Sequence, residues 1–364
     1  MSAAPAASPI PPGLVSLPDY EAHARQVLDG ARWAYLNGGA ADEITARANR
    51  DAWDALPLWP RVLRPMTGGH TRVELLGRTL AHPLLLAPVA YQQLAHPQGE
   101  LASAHAAAAQ EAGYVLSTQA SMRLETVAEA VRGDAQRGPL WFQLYFQPER
   151  GATLDLVHRA EAAGFEALVL SIDAPVHGAR DAQRRAGFRL PAGIAAVNLP
   201  PAPAVPQGSS VFEALASAPT RADVEWLRAR TRLPLVLKGV LHPGDAREAQ
   251  RLGAAAVIVS NHGGRTLDTA VATAIALPRI KDAVGDLPLL VDGGILRGTD
   301  VLKAVALGAT AVLIGRPVVW GLAAAGAFGV AHVLRLLRDE LEIAMALTGC
   351  ATLSQASPRL FEGN

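Results

Sequence analysis

The segment from Ser260 to Arg265 carries two side-chain types that act on organic acids. Its sequence, Ser-Asn-His-Gly-Gly-Arg, places His262 three residues before Arg265. Imidazole exchanges a proton near neutral pH, and the planar guanidinium group binds a carboxylate through two hydrogen bonds. A lone histidine is ordinarily a structural residue, but the adjacent glycines and arginine favour a proton acceptor beside an anion-binding group.

Asp173 and Arg180 are candidates for the same pocket. Asp173 follows an apolar segment and would accept a hydrogen bond from His262, which orients the ring and stabilises its protonated form. The alternative for Asp173 is a helix cap or a loop carboxylate. Arg180 lies shortly beyond, after Gly178 and Ala179, and its alternative is a solvated surface side chain.

Lys238 ends an apolar segment, Pro-Leu-Val-Leu-Lys, and is followed by Gly239. Burying an ammonium group is costly unless an anion accompanies it. One interpretation is an internal salt bridge. The other is a cation placed against a cofactor that becomes negative during turnover.

Two glycine-containing turns have the composition of a phosphate site. They are Asp292-Gly293-Gly294 and Gly315-Arg316. Glycine lets the backbone N–H groups approach a phosphate closely, and arginine adds charge and donors. A Gly-Gly pair alone indicates only a tight turn, but two such turns at successive strand ends predict phosphate binding.

These residues follow a repeated pattern of short apolar segments, each followed by an amphipathic one. Eight apolar segments of this kind are too short for helices and predict buried parallel strands. Strand and helix repeated eight times predict an α/β fold, a (β/α)8 TIM barrel, whose catalytic residues lie at the carboxyl ends of the strands. An open doubly wound sheet is the alternative, but its G-x-G-x-x-G turn is missing. The predicted strands are residues 83–88, 114–117, 140–145, 167–172, 235–238, 256–260, 287–291 and 311–314.

The remaining segments have distinct compositions. We expect a disordered tail over residues 1–12 and one barrel domain over 13–364, with residues 14–80 forming helices and a hairpin that close one end. Residues 186–218, after the fourth strand, are rich in Pro, Ala and Gly and predict either an active-site lid or a passive insertion. We expect residues 329–348 to form the final helices and to pack on the outside of the barrel.

Composition excludes several classes of protein. Lys plus Arg and Asp plus Glu both number 33, so no charge excess favours nucleic acid or an anionic membrane. Cys350 is the only cysteine, which rules out an intrachain disulfide and a multi-cysteine metal site and fits a reducing cytoplasm. The most apolar stretch, residues 318–330, is shorter than the roughly 18 residues that predict a membrane span.

The chain resembles the FMN-dependent 2-hydroxy acid oxidase and dehydrogenase family, which includes glycolate, lactate and mandelate oxidases. The similarity runs from about residue 20 to residue 350. Its most specific parts are the segment from Ser260 to Asp268, the Asp292-Gly293-Gly294 turn with Gly298-Thr299-Asp300-Val301, and Gly315-Arg316-Pro317. Further matching segments are Leu85-Leu86-Ala87-Pro88, Ala95-His96-Pro97 and Gln143-Leu144-Tyr145.

The resemblance implies oxidation of a small L-2-hydroxy acid to the 2-oxo acid, with FMN as cofactor and oxygen as acceptor. It implies that His262 is the catalytic base, that Arg180, Arg265 and Tyr35 bind the substrate carboxylate, and that Tyr145 contacts the substrate oxygen. Lys238 would stabilise the anionic reduced flavin. Residues implied to line the flavin are Pro88, Val89, Ala90, Ser117, Gln143, Ser171 and Ser260, and those implied to hold its phosphate end are Asp292, Gly293, Gly294, Gly315 and Arg316.

Three positions depart from the family pattern. Leu296 replaces an arginine that usually follows the Gly-Gly turn, which predicts weaker FMN binding. Ser171 replaces a common threonine and keeps the hydroxyl group. Gln119 replaces a frequent aromatic residue and, together with Val176 and His177, predicts a partly polar side-chain pocket.

The sequence leaves several alternatives to this function. A dehydrogenase using a quinone or cytochrome acceptor and a decarboxylating monooxygenase are variants within the family. An inosinate-dehydrogenase-like barrel needs a loop cysteine, and Cys350 lies far from any strand end. A non-catalytic, flavin-free barrel acting as a binding protein is the alternative of another class. The resemblance also implies a homo-oligomer, a tetramer or an octamer.

Overall fold

A computed structural model describes residues 9–200, 211–215 and 218–362. Part of the predicted tail, residues 1–8, lies outside the described residues, and so do residues 201–210 and 216–217 of the predicted loop. Eight parallel strands close into a barrel in which neighbours along the chain are neighbours in the sheet and the last strand pairs with the first, and two earlier strands form a separate antiparallel pair. The predicted (β/α)8 barrel is confirmed.

The ten strands are β1 (Val73–Leu75), β2 (Arg78–Leu80), β3 (Leu84–Leu86), β4 (Gly113–Ser117), β5 (Leu140–Leu144), β6 (Leu168–Ser171), β7 (Leu235–Val240), β8 (Ala256–Val259), β9 (Leu289–Val291) and β10 (Ala311–Ile314). The helices up to the fourth barrel strand are α1 (Leu17–Val27), α2 (Gly30–Asn37), α3 (Ile44–Asp54), α4 (Gly99–Ala109), α5 (Leu124–Val131) and α6 (Arg150–Ala163). The later helices are α7 (Asp181–Arg185), α8 (Val211–Leu215), α9 (Arg221–Arg228), α10 (Pro243–Arg251), α11 (Thr273–Val284), α12 (Gly298–Ala306) and α13 (Arg316–Thr348).

The barrel strands are apolar on both faces because one face packs inside the barrel and the other packs against helices. The register brings their polar end residues to one level. Ser117 on β4 pairs with Gln143 on β5, and Ser171 on β6 pairs with Lys238 on β7. The polar strand ends predicted from sequence therefore form one ring at the carboxyl end of the barrel.

Glycine residues follow several barrel helices, and most of them take the left-handed conformation that ends a helix. Gly164, Gly253 and Gly308 all adopt a positive φ after their helices. Gly113 does not, and Glu111 takes the left-handed conformation instead, because α4 ends earlier, at Ala109. The requirement at Gly113 is close packing, since a Cβ there would lie 2.5 Å from Cγ of Leu85.

Residues 14–80 close both ends of the barrel, so the prediction that they close one end was wrong. The hairpin β1–β2 places Leu75 and Leu80 in the same apolar cluster as the barrel interior. The helices α2 and α3 lie at the opposite end, where Ala40 N–H donates to Gly264 O at 2.8 Å. The polar face of α3 explains this placement, because its buried Thr45 and Asn49 need hydrogen-bond partners from the catalytic loops.

The final helix α13 is longer than predicted and begins at Arg316. Non-helical φ and ψ values at Ala325 and Gly326 divide it into a barrel helix and an outer helix. By length and apolar composition it could cross a membrane, but most of its apolar window is buried against the rest of the fold. Its apolar character is that of a core helix.

The described part of the loop after β6 is anchored by one buried amide. Oδ1 of Asn198 accepts a hydrogen bond from Leu124 N–H at 2.9 Å, and Nδ2 donates to Met122 O at 3.0 Å. Between this anchor and α7, residues such as Phe188 and Leu190 line the cavity at the carboxyl end of the barrel. This placement is compatible with the predicted lid.

Candidate active site

A histidine and a carboxylate form the centre of the cavity. His262 follows β8, Asp173 follows β6, and Nδ1 of His262 lies 3.0 Å from Oδ1 of Asp173. This contact leaves Nε2 of the imidazole ring for a substrate. His262 lines the cavity, whereas Asp173 stands behind it and acts through it. The sequence prediction that Asp173 orients His262 matches this geometry.

Burial lowers the pKa of His262, and the nearby charge of Lys238 lowers it further, although Asp173 acts in the opposite direction. Burial alone would raise the pKa of Asp173, but the hydrogen bond with His262 and its charge bring it below the ordinary value. The pair is therefore a neutral imidazole with an ionised carboxylate at neutral pH. That is the protonation state of a general base held by an orienting anion.

The backbone at His262 is in the left-handed region, with φ of 58°, which is unfavourable for a residue other than glycine. Ser260 Oγ accepts the His262 N–H at 3.0 Å. Asn261 and Asn49 exchange two side-chain hydrogen bonds, at 2.7 and 2.9 Å, and both amides are buried. These contacts hold the catalytic loop in a conformation it would not keep alone.

Asn49 is a functional residue that sequence reasoning missed. Its signal was present in the spacing, because Thr45, Asn49 and Trp53 share the buried face of α3 at intervals of four residues. A buried amide on a helix face indicates a specific partner, since unsatisfied polar groups are costly. The partner itself, Asn261, could not be read from the sequence.

Two arginines make the cavity electropositive beside His262. The Nε atom of Arg180 is buried and has no hydrogen-bond partner within the described part of the chain. Arg265 donates to Gly38 O at 2.5 Å and to Tyr35 O at 2.8 Å, which leaves its other N–H groups for a ligand. Burial and then the charge of Arg180 lower the pKa of Arg265 to about 9. An anion bound here would reduce the repulsion between the two guanidinium groups and would accept the hydrogen bond that Nε of Arg180 lacks.

Tyr35 and Tyr145 complete this part of the cavity. Burial raises the pKa of Tyr35 to about 12, and burial also raises the pKa of Tyr145. Both phenols therefore keep their protons and can donate hydrogen bonds. Tyr35 comes from α2, whereas Tyr145 follows β5, so the pocket joins the N-terminal helices to the barrel.

A row of polar side chains crosses the strand ends beneath this pocket. Gln143 Oε1 accepts from Ser117 Oγ at 3.2 Å, and Gln143 Nε2 donates to Ser171 Oγ at 3.1 Å. Lys238 Nζ donates to Ser260 Oγ at 2.8 Å. Ser117, Gln143, Ser171 and Lys238 line the cavity, whereas Ser260, which was also predicted to line the flavin, is not part of the lining and adjoins it through its hydrogen bond with Lys238. The row offers the donors and acceptors that the polar edge of a flat heterocycle requires.

The ammonium group of Lys238 also pairs with Asp292 at 3.1 Å, and both side chains are buried. Burial alone would lower the pKa of Lys238, but the charge of Asp292 raises it above its ordinary value. The other carboxylate oxygen of Asp292, Oδ1, is buried without a partner among the described residues. A ligand hydroxyl group would satisfy it.

The turn after β9 forms a backbone cradle. A Cβ at Gly294, whose φ is 79°, would lie 2.6 Å from the carbonyl oxygen of Asn49. Arg316 lines the same region and donates to the carbonyl oxygens of Asn37 at 2.8 Å and Gly263 at 2.9 Å. The predicted phosphate-binding residues Asp292, Gly293, Gly294, Gly315 and Arg316 all line the cavity.

The cradle lacks the cation that an arginine at position 296 would supply, and the neighbouring Arg297 does not replace it. Leu296 lines the cavity, whereas Arg297 pairs with Glu340 at 2.8 Å. Arg50, which sequence reasoning also missed, lines the cavity but is paired with Asp300 and donates to Gly294 O at 2.6 Å. Arg316 is therefore the main cation available to a phosphate group among these residues.

The features fit FMN. The unsatisfied Oδ1 of Asp292 suits a ribityl hydroxyl group, the glycine cradle with Arg316 suits the phosphate, and Lys238 suits the ring edge that gains charge. Pro88, Val89 and Ala90, which the resemblance implied to be flavin contacts, line the same cavity. No group of three metal-binding side chains occurs in the described ranges.

Three residues were predicted to make the pocket for the substrate side chain partly polar. Gln119, Val176 and His177 all line the cavity. Burial lowers the pKa of His177, and the charge of Arg180 lowers it further, so this ring is neutral and can give or accept one hydrogen bond.

Comparison with known proteins identifies a family and several relatives of this chain. The family described as FMN-dependent dehydrogenase matches residues 24–362. The chain is 51% identical over 353 residues to an L-lactate oxidase of Alicycliphilus denitrificans, covering 95% of each sequence. It is 45% identical over 350 residues to a 4-hydroxymandelate oxidase of Amycolatopsis orientalis, covering 94% of this chain and 96% of the relative. A crystal structure of mandelate oxidase with (S)-2-phenylpropionate aligns with a TM-score of 0.85 at 46% identity, covering 94% of this chain and 96% of that one.

Proposed function

The chain belongs to the FMN-dependent dehydrogenase family, and from that premise we propose that its substrate is a short L-2-hydroxy acid, with L-lactate the first to test. Its reaction is the FMN-dependent oxidation of a 2-hydroxy acid to the 2-oxo acid, with oxygen as acceptor and hydrogen peroxide as second product.

The observation that carries the proposal is the buried Nε atom of Arg180, which lacks a hydrogen-bond partner among the described residues. It lines the same cavity as His262 and Arg265. A carboxylate would accept hydrogen bonds from both guanidinium groups and neutralise part of their charge. A 2-hydroxy acid held in this way presents its neighbouring carbon and hydroxyl group to His262.

We propose that Nε2 of His262 accepts a proton from the substrate, because Nδ1 of the same ring is held by Asp173. Asp173 then stabilises the imidazolium ion that forms. Held by the glycine cradle, Arg316 and the polar row at the strand ends, FMN would supply the acceptor for the two electrons and the second hydrogen of the oxidation, which would pass to oxygen as hydrogen peroxide. Lys238 places a positive charge at the strand ends and opposes the negative charge that develops there.

L-Lactate is proposed on the similarity to an L-lactate oxidase and on the wall formed by Gln119, Val176 and His177. Gln119 and His177 supply polar groups where a large aryl substituent would need apolar contacts. A short side chain leaves these polar groups in contact with water.

Anaerobic stopped-flow spectroscopy tests this proposal. Purified holoenzyme is mixed with each enantiomer of lactate, glycolate and mandelate, and bleaching of the oxidised flavin is followed. We expect L-lactate to reduce the flavin fastest among the short acids and D-lactate to leave it oxidised. Faster reduction by L-mandelate would overturn the substrate proposal, and no reduction by any of these acids would overturn the assigned roles.

A parallel measurement under air identifies the acceptor. One peroxide formed for each lactate consumed is expected. Replacing His262 with Ala should leave the yellow cofactor bound and abolish its reduction, and reduction at the wild-type rate would remove His262 from the mechanism.

We also propose that the chain acts as a homotetramer or octamer in the cytoplasm. Exposed apolar side chains at Trp59, Val62, Leu63, Ile343 and Leu347 support an interface between copies. The two segments adjoin, since Arg61 N–H donates to Leu347 O at 3.2 Å. Light scattering coupled to gel filtration measures the assembly, and a monomer would refute it. The single buried cysteine is compatible with a reducing compartment, which cell fractionation tests.

A further inference from the structure

The ring of Phe188 stacks on the ring of Tyr35. Their centroids are 4.4 Å apart and their planes differ by 18°. Tyr91 is the other aromatic neighbour of Tyr35, but its ring is farther away, at 6.1 Å, and tilted by 54°. The closest aromatic contact of Tyr35 therefore comes from the loop after β6, which no sequence pattern connected to α2.

Local backbone geometry fixes the position of Phe188. The helix α7 ends at Arg185, Gly187 takes a positive φ of 60°, and Phe188 N–H donates to Gln183 O at 3.2 Å. None of the residues of α7 is buried, so this short helix has little apolar packing of its own. The apolar contact after α7 comes from the stacking of Phe188 on Tyr35.

A second contact joins the same two segments without involving either ring. The N–H group of Ala41 donates to Ala179 O at 2.7 Å, next to Arg180. Loss of the Phe188 ring would leave this backbone bond in place. The loop would stay attached near Arg180, whereas the Tyr35 ring would lose the surface that restricts its rotation.

We propose that Phe188 is a positioning residue that fixes the phenol of Tyr35 toward the bound carboxylate. This inference rests on the proposed function, in which Tyr35 assists Arg180 and Arg265. Arg265 reinforces the arrangement, since its guanidinium carbon lies 5.8 Å from the centroid of the Tyr35 ring. Phe188 acts through Tyr35 and needs no contact with the reacting atoms.

A double-mutant cycle tests the proposal in the holoenzyme. Phe188→Ala is made in the wild type and in Tyr35→Phe, which keeps the ring but removes the hydroxyl group. Binding of oxalate, a small carboxylate without a C–H bond to oxidise, is titrated by its effect on flavin absorbance. We expect Phe188→Ala to weaken oxalate binding about tenfold in the wild type and less than twofold in Tyr35→Phe.

Controls separate positioning from general loss of structure. Phe188→Tyr keeps a stacking ring and should bind oxalate within about twofold of the wild type. Phe146→Ala removes another aromatic residue of the cavity, one whose ring lies against Trp226, and should show no coupling with Tyr35→Phe. Flavin content and thermal unfolding are measured for each variant.

Equal losses from Phe188→Ala in both backgrounds would overturn the proposal, because the ring would then act independently of the phenol. Unchanged binding in the wild type background would also overturn it, and so would an unaltered oxalate affinity in Tyr35→Phe. The lactate experiment gives a separate answer, since failure of lactate to reduce the flavin refutes the proposed substrate even when the oxalate cycle shows the coupling.

Discussion

The ammonium group of Lys238 and the carboxylate of Asp292 lie 3.1 Å apart, and both side chains are almost completely buried. The pair joins β7 to the turn that follows β9. Of the two interpretations made from the sequence, the structure shows the internal salt bridge, and Lys238 also lines the cavity where the proposed function puts FMN.

Replacing Lys238 with Met should slow flavin reduction by lactate roughly 100-fold, because the charge that opposes the developing anion is lost. The reduction potential of the bound flavin should fall for the same reason. Stopped-flow reduction and a potentiometric titration measure the two effects.

Lys303→Met is the matched control, since Lys303 is also buried but donates to Trp53 O at 2.8 Å. It should lower the unfolding temperature and leave the flavin potential unchanged. A potential in Lys238→Met equal to that of wild type would remove Lys238 from the flavin site.

The pH dependence of flavin reduction should report the pKa of His262. Because burial and the charge of Lys238 place this pKa below its usual value of 6.5, reduction should be independent of pH above neutrality. It should decline as the pH falls through the lowered pKa, because the protonated ring cannot accept another proton. Rates of reduction at saturating lactate, measured from acid to alkaline pH, give this profile. An acid limb centred above 6.5 would contradict the assignment.

Asp173→Asn should change the same profile in two ways. Asp173 raises the pKa of His262, so its neutralisation should move the acid limb to lower pH. The plateau should also fall, by about 100-fold or more, because the imidazolium ion loses its counter-charge. A lower plateau with an unmoved acid limb would mean that Asp173 does not interact with the titrating base.

Asn49→Ala should damage catalysis from outside the cavity. It removes two of the four side-chain hydrogen bonds of Asn261, at a cost of about 1–3 kcal/mol in the free energy of unfolding. It also releases the loop that keeps His262 at positive φ, so flavin reduction should slow while FMN remains bound. Denaturant unfolding and stopped-flow reduction measure the two effects. Normal reduction in a destabilised Asn49→Ala enzyme would restrict Asn49 to a purely structural role.

Sequence predicted the parts of the site that depend on strand ends. His262, Asp173 and Lys238 each follow a short apolar segment, and the barrel brings such positions together whatever lies between them. Asn49 and the Phe188–Tyr35 stack could not be found in this way. They depend on how α2 and α3 fold back over the barrel, and the apolar pattern of residues 14–80 does not specify which end they cover. The direction of the Arg297 side chain, paired with Glu340, likewise depends on tertiary packing.

The side chain at position 296 should affect the affinity for FMN, which can be measured without turnover. Leu296 lines the cavity beside the glycine cradle, where Arg316 is the main cation available to the phosphate, and Arg297 points to Glu340 instead. Leu296→Arg should therefore add a guanidinium group near the phosphate and tighten FMN binding about tenfold, which corresponds to about 1.4 kcal/mol. Binding is measured by quenching of FMN fluorescence on addition of the apoprotein, at several salt concentrations. The gain should shrink as salt increases, because screening weakens the added ion pair. Leu296→Met preserves the apolar character and should leave the affinity unchanged. If Leu296→Arg binds FMN no more tightly than Leu296→Met at low salt, the cradle already supplies all the charge that the phosphate uses, and the departure at this position has no consequence for FMN retention.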